Sequence, residues 1–193
     1  MKLESDAADE RALAEQLASS ESILLDYCSH RGVAATVLRP TLIWGGGRDL
    51  NVSRIAQLGA RRRFFVVPKM AKGLRQPVHV ADLASAVATV LASNDTAGKR
   101  YDLPGGQALT YVDMVRRIRQ AVPGRTLMLQ VPDALFLMAV HIMQKAGRLP
   151  GLTTPVLARM QQDLVFDDAP ARADLGWSPR GFSPSPAELG LDQ

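Results

Sequence analysis

The residue types that most often carry out chemistry are sparse in this sequence. It contains three histidines and a single cysteine, Cys28. One cysteine excludes an internal disulfide and a metal site built from several cysteines, which is typical of the reducing cytoplasm. His79 has no second histidine or carboxylate at ligand spacing, so no metal site is predicted there. The chain also lacks the G-x-G-x-x-G, P-loop and G-x-S-x-G motifs of phosphate binding and serine nucleophiles.

The charge of the chain limits the kinds of partner. Lys and Arg number 23 against 19 Asp and Glu, a formal net charge of +4, and the basic runs at residues 61–63 and 116–119 are separate. A dedicated nucleic-acid binder concentrates its cations on one face, so nucleic acid is not the expected partner. Residues 1–16 lack the basic start and apolar run of a secretory signal, and we therefore expect a cytoplasmic protein.

Hydrophobic patterning predicts the elements that position these residues. Leucines at helical spacing predict a first helix over residues 7–31, and a β-branched run predicts a buried strand over 33–38 that Pro40 ends. Asp82 is expected to cap or charge-stabilise a helix. The other expected elements are a glycine turn at 45–47, a helix over 51–61 with Ile55 and Leu58 inward, strands at 64–67, 100–103 and 126–131, and helices over 83–91, 111–122 (capped by Thr110), 133–145, 154–162 and 170–175.

Strands that alternate with helices predict an α/β fold with parallel pairing. Sheets of this kind normally begin with a strand and a glycine-rich turn, whereas this chain begins with a helix. We therefore expect the C-terminal part of a Rossmann-like parallel sheet with a small substrate-binding subdomain, and without the N-terminal dinucleotide-binding half. The predicted division places the Rossmann-like part, with interleaved substrate-binding segments, in residues 1–130 and the helical subdomain and tail in 131–193.

The most apolar stretch is residues 134–143. It has about half of the roughly 20 residues that a membrane-spanning helix needs, so it favours a buried or surface-docked helix. Lys145 and Arg148 flank it as cations, and contact with a membrane surface is therefore a further hypothesis.

Four segments carry a family resemblance through their order and spacing. They are LRPTLIWG at 38–45, RQPVHVADLA at 75–84, YDLPGG at 101–106 and DLGWSP at 174–179. Together they resemble the C-terminal part of the NAD-dependent epimerase/dehydratase family, the extended or atypical short-chain dehydrogenase/reductases. The resemblance implies an oxidoreductase or isomerase whose Rossmann domain binds NAD or NADP and whose smaller subdomain takes a substrate, usually a nucleotide-linked sugar.

The resemblance also implies binding residues. Pro40, Thr41 and Leu42 would line the cofactor and substrate crevice, since ligands gather at the carboxyl ends of parallel strands. The alternative is that these residues simply end a core strand. Many relatives carry asparagine at the position of Leu42, so this chain departs from a standard sugar-nucleotide contact.

Substrate contacts are implied for Arg75, Asn51 and His79. Arg75 stands where many relatives have an arginine whose planar fork of donors holds the substrate diphosphate. The alternative interpretation is that Arg75 is a solvated loop arginine. The alternative for His79 is a packed, hydrogen-bonded loop histidine.

The family's catalytic pair, Tyr-x-x-x-Lys, is not found. In that pair the tyrosine transfers the proton, and the lysine lowers its pKa and holds the ribose. If Glu15 matches the acidic residue four positions after the lysine, Ala7 and Arg11 occupy the two catalytic positions and supply neither function. None of the three tyrosines is followed by lysine four residues later. No catalytic residue is therefore predicted.

Two interpretations of function stay open. The first is a truncated or atypical family enzyme whose complete form binds NAD or NADP, while this chain alone binds neither tightly because it lacks the pyrophosphate-binding turn. The second is a non-catalytic binding or assembly module of the same fold. The expected partners are a small-molecule substrate and a partner chain or second copy.

Overall fold

The computed structural model describes residues 8–145 and 160–192. Within these ranges it contains α-helices, short strands and the 3-10 helices Asn94–Thr96 and Ala187–Leu189. The predicted helix over 154–162 falls mostly outside the described residues. The helices are α1 (Ala8–His30), α2 (Val52–Arg62), α3 (Val80–Leu91), α4 (Tyr111–Ala121), α5 (Asp133–Lys145) and α6 (Ala169–Leu175). The strands are β1 (Val37–Pro40), β2 (Ile43–Trp44), β3 (Phe64–Pro68), β4 (Leu74–Arg75), β5 (Val78–His79), β6 (Arg100–Leu103), β7 (Leu109–Thr110) and β8 (Leu127–Val131).

Parallel pairing dominates the described part of the chain. Strand β1 pairs with β6, β2 with β5, and β3 with β8, all in parallel, while β4 and β7 are antiparallel. In the first pair Leu38 lies opposite Tyr101, and Pro40 lies opposite Leu103. The predicted α/β fold of a partial Rossmann-like sheet is therefore confirmed.

The first strand begins later than predicted. The prediction was 33–38, whereas β1 is Val37–Pro40. Val33 is exposed, and the Thr36 hydroxyl donates to the carbonyl of Thr96 at 2.9 Å. Residues 33–36 therefore lead into the sheet without joining it. Pro40 is tolerated because it is the last residue of the strand, where a missing N–H costs little.

Helix α2 buries small residues, which corrects the prediction for Leu58. Leu58 is 44% exposed, and Ile55 is only partly buried. The buried face consists of Val52, Ser53, Ala56 and Gly59. A Cβ on Gly59 would overlap the ring of Phe65, so glycine is required for this strand to pack on the helix.

Two clusters form the hydrophobic core. The larger includes Trp44, Phe65, Ile118, Phe182 and Leu189, and the smaller includes Val78, Tyr101, Leu103 and Trp177. The larger cluster contains residues from both sides of the predicted domain boundary between residues 130 and 131. The division at that boundary stays a prediction. Helix α5 buries Val140 in the larger cluster but leaves other apolar side chains exposed, namely Leu135, Leu137, Met138 and Ile142.

Candidate functional site

The first three of the four segments meet beyond the carboxyl ends of β1 and β6. The Val78 N–H donates to the Leu42 carbonyl at 2.9 Å, and the Gly105 N–H donates to the Gln76 carbonyl at 3.1 Å. The Thr41 hydroxyl donates to the same Gln76 carbonyl. This junction is where an open parallel sheet collects its ligands, so the segments lie at the expected place for a binding crevice.

Residues 40–42 differ in exposure at this junction. Pro40 is exposed and Thr41 is partly buried. Leu42 packs against the larger core cluster, in agreement with the alternative of a core strand end. A cofactor-lining role for the three residues stays a prediction.

His79 is a buried histidine that caps α3. Its Nδ1 accepts a hydrogen bond from the Ala81 N–H at 3.1 Å, so the proton of the neutral ring lies on Nε2. Nε2 donates to Glu188 Oε1 at 3.1 Å, and the ring centroid lies 4.6 Å from that of Trp44 in an edge-on arrangement. This environment favours the packed, hydrogen-bonded interpretation of His79.

Glu188 links this histidine to the C-terminal 3-10 helix. Its Oε2 accepts from the backbone N–H of Ser185 at 2.8 Å and from the Ser185 hydroxyl at 2.7 Å. Burial alone would raise the pKa of Glu188, but the bonds from Ser185 and the nearby His79 outweigh it and hold that pKa below its usual value. The Glu188 carboxylate therefore stays ionised and accepts hydrogen bonds both from His79 and from Ser185.

Arg75 is buried, which overturns the alternative of a solvated loop arginine. The residue is 6% exposed. Its Nη1 donates to the carbonyls of Leu74 and Gln162, both at 2.7 Å. Burial lowers the pKa of Arg75, whereas Tyr111 and Asp163 act in the opposite direction. The guanidinium joins β4 to the segment after residue 160 and has a structural role whatever ligand it contacts.

Asn51 is exposed, and its side chain does not cap α2. Asp49 forms hydrogen bonds at the start of this helix instead. Its Oδ1 accepts from the N–H groups of Asn51 and Ser53 at 3.1 and 3.0 Å. An aspartate just before a helical pattern is a recognisable N-terminal signal that the sequence analysis missed. The substrate contact assigned to Asn51 stays a prediction.

The fourth segment is bound to the third. Asp174 Oδ2 accepts from the Tyr101 hydroxyl and from Lys99 Nζ, both at 2.7 Å. Trp177 Nε1 donates to the Pro104 carbonyl at 3.1 Å. The two donors, Lys99 first, hold the pKa of Asp174 below its usual value. All four segments therefore belong to one connected arrangement around the ends of β1 and β6.

Comparison with known proteins agrees with this arrangement. No protein-family model matches the chain. UDP-glucose 4-epimerase of Vibrio cholerae is 21% identical over 178 residues, which cover 92% of this chain and 52% of that protein. The solved structure of dTDP-glucose 4,6-dehydratase from Bacillus anthracis in complex with NAD superposes with a TM-score of 0.57 at 17% identity, over 91% of this chain and 48% of that one.

The chain has the fold of the NAD-dependent epimerase/dehydratase family. It spans about half the length of these two proteins. A third similar protein is the mitochondrial NADH dehydrogenase [ubiquinone] 1 alpha subcomplex subunit 9 of Dictyostelium discoideum, 24% identical over 134 residues, which cover 67% of this chain and 36% of that protein.

The match through Glu15 predicts the position of the catalytic lysine at Arg11 of α1. Arg11 lies on an exposed side of that helix, and Ala7 lies outside the described residues. In the described ranges, no group of three or more His, Cys, Asp or Glu side chains could hold a metal ion. None of the helices between residues 8 and 145 or 160 and 192 is long and apolar enough to cross a membrane.

Asp82 does not cap α3, but its charge lies in the first turn of this helix, where the predicted charge stabilisation of the N-terminus places it. His79 caps this helix. The Asp82 carboxylate pairs with Arg180 Nη2 at 2.8 Å and accepts from the Arg180 N–H at 3.0 Å. Arg180 follows the fourth segment, so this pair adds a further link between the segments of the epimerase/dehydratase fold.

Proposed function

We propose that the chain is the substrate-binding part of an epimerase/dehydratase-type protein that acts on a nucleotide sugar, with NAD or NADP bound by the complete protein. The observation that carries this proposal is the junction of the first three segments at the carboxyl ends of β1 and β6, joined by Thr41, Gln76 and Gly105, with the fourth segment bonded to the third through Trp177. The similar proteins named for UDP-glucose and dTDP-glucose chemistry support the substrate class.

The residues of this chain would bind and orient the substrate. Arg75 would contact the diphosphate, with Asn51 and His79 at the same substrate, and residues 40–42 would line the crevice. A bound NAD or NADP would supply hydride transfer. The proton of His79 Nε2 is engaged by Glu188, and Tyr-x-x-x-Lys is missing from the chain, so proton transfer is not assigned to these residues.

Calorimetric titration with UDP-glucose tests the proposal. Arg75→Lys keeps the charge but removes the bidentate fork, so we expect its affinity to be about tenfold weaker than that of the unmodified chain. Arg54→Lys, at an exposed position on α2, is the matched control and should bind as the unmodified chain does. A folded Arg75→Lys variant with unchanged affinity would contradict the diphosphate contact. If the gene encodes an upstream half, the titration is repeated with the longer protein. The absence of UDP-glucose binding in both forms would overturn the proposed substrate class.

A second candidate, an assembly module, is favoured by the surface of α1. Leu13, Leu17, Leu24 and Tyr27 are each about half exposed, at 53%, 49%, 53% and 59%, and their spacing places them on one face of the helix. We call these four residues the α1 stripe. An apolar stripe of this kind on a soluble domain is typical of a protein–protein contact. The similarity to a named complex subunit supports the same candidate.

A further inference from the structure

A cavity of about 560 Å³ that is open to solvent lies between α2, β3 and α5, and three of its apolar wall residues, Leu58, Phe64 and Leu135, are each more than 40% exposed. Its walls include Ile55 and Leu58 of α2, Phe65 of β3, and Ala139 and Met143 of α5. None of residues 40–42, Arg75 or His79 lines it. The cavity therefore lies outside the proposed substrate crevice and adjoins it at Tyr111, whose ring contacts Arg75.

The walls are apolar except at two side chains. Among the described residues that line the cavity, Arg62 is the charged one and Tyr111 is the other polar one. The absence of a lining carboxylate in this described set leaves Arg62 without an opposite charge at the wall. Nucleotides and sugars need several polar contacts, so these walls suit an apolar molecule with one anionic group.

The C-terminal end of α2 is basic, which favours an anionic group next to Arg62. Arg61, Arg62 and Arg63 are consecutive and exposed, and Arg63 donates to the Pro123 carbonyl at 3.1 Å. No described carboxylate forms an ion pair with Arg61 or Arg62. The cations complement the negative end of the helix, but Arg62 also borders an apolar cavity, which helix stabilisation alone does not require.

We infer that this cavity binds a long-chain acyl amphiphile whose anionic head pairs with Arg62. At roughly 30 Å³ for a water-sized group, a cavity of about 560 Å³ accommodates on the order of 18 such groups, the scale of a long acyl chain. Each added methylene should tighten binding about threefold to fourfold until the cavity is filled. Both a free carboxylate and the phosphate of a lipid present such an anion to the guanidinium.

Titration of the intact chain with monomeric myristate, and with tetradecanol as the uncharged match, tests the inference. We expect myristate to bind at least tenfold more tightly than tetradecanol. Arg62→Gln should abolish that preference, whereas Arg61→Gln, one position away and outside the cavity wall, should preserve it. Monoacyl phosphate in a parallel titration distinguishes the two kinds of head group.

Filling the cavity gives an independent test. Ala139→Trp places a large ring in the space and should reduce myristate affinity at least tenfold, while Ala139→Ser should bind as the unmodified chain does. Thermal unfolding of each variant checks that it is folded. Myristate affinity that is unchanged in folded Arg62→Gln or Ala139→Trp would overturn the inference. Flotation with phosphatidylglycerol vesicles, without binding of monomeric myristate, would overturn it in favour of a membrane surface.

Discussion

The guanidinium carbon of Arg75 lies 5.8 Å from the centroid of the Tyr111 ring. Arg75 ends β4, and Tyr111 begins α4, so this cation–π contact joins a strand to a helix. Burial raises the pKa of Tyr111, and Arg75 opposes that rise. Tyr111 also lines the cavity beside α5, so the proposed diphosphate contact and the proposed acyl site adjoin at this ring.

Arg75→Ala should destabilise the fold. The substitution leaves the Gln162 carbonyl without its donor and removes the contact with Tyr111. It also removes one of the two donors to the Leu74 carbonyl, which keeps the Leu164 N–H. We expect a loss of about 2–3 kcal/mol in the free energy of unfolding, measured by urea denaturation. Arg54→Ala, at an exposed position, should change it by less than about 0.5 kcal/mol. Equal losses in both variants would contradict the structural role of Arg75.

Glu21 should make stability depend on pH. Its hydrogen bond with Arg39 holds the pKa of Glu21 below the ordinary value of 4.5, against the effect of burial. A lowered folded-state pKa stabilises the protein above the unfolded-state pKa, and this contribution is lost as the pH falls through the folded-state value. Glu21→Gln should therefore cost about 1 kcal/mol at pH 7 and progressively less below pH 4.5.

Denaturation at pH 7, 5 and 3 checks the Glu21 prediction. Glu15→Gln, on an exposed side of the same helix, is the control and should show a small, nearly constant effect. A Glu21→Gln deficit that stays constant from pH 7 to pH 3 would show that the ion pair is not its origin.

Glu188→Ala should loosen the C-terminal 3-10 helix. The substitution removes the acceptors for His79 Nε2 and for both donors of Ser185. We expect amide hydrogen exchange over residues 185–191 to accelerate about tenfold, because local opening becomes easier. Ser183→Ala, an exposed position nearby, should leave exchange unchanged. The same exchange rates in both variants would refute the anchoring role of Glu188.

The α1 stripe should promote self-association of the chain. Exposed apolar residues on one helix face favour a contact that removes them from water. We expect light scattering to detect oligomers and a hydrophobic dye to bind, with both reduced by Leu17→Glu. Ser19→Glu adds the same charge at an exposed position outside the stripe and should leave association intact. A monodisperse monomer with sharp two-state unfolding would contradict the prediction.

Dinucleotide binding by this chain should be weak. Its sequence contains no G-x-G-x-x-G turn, and a helix N-terminus after such a turn is what binds the pyrophosphate. Titration calorimetry should show no saturation by NAD or NADP in the micromolar range. Micromolar binding of either would mean that the crevice at residues 40–42 holds the cofactor without the turn.

The sequence by itself determined the features that depend on local pattern. Thr110 was predicted to cap α4, and its hydroxyl accepts from the Asp113 N–H at 3.1 Å. The alternation of strands and helices predicted the parallel α/β fold, and the order of four short segments indicated the fold family. These properties follow from neighbouring residues, since caps, periodicity and glycine turns act over a few positions of the chain.

Only the tertiary structure decided how distant residues meet. His79 pairs with Glu188, which lies 109 positions later, and Arg75 bonds the Gln162 carbonyl 87 positions away. No local pattern encodes such pairs. The prediction that Leu58 is buried was wrong because burial depends on fit: Phe65 packs into the space that Gly59 leaves, and Leu58 at the preceding position stays 44% exposed. The burial of a side chain and the identity of its hydrogen-bond partners depend on the folded structure, because they arise from contacts that form only when distant segments come together.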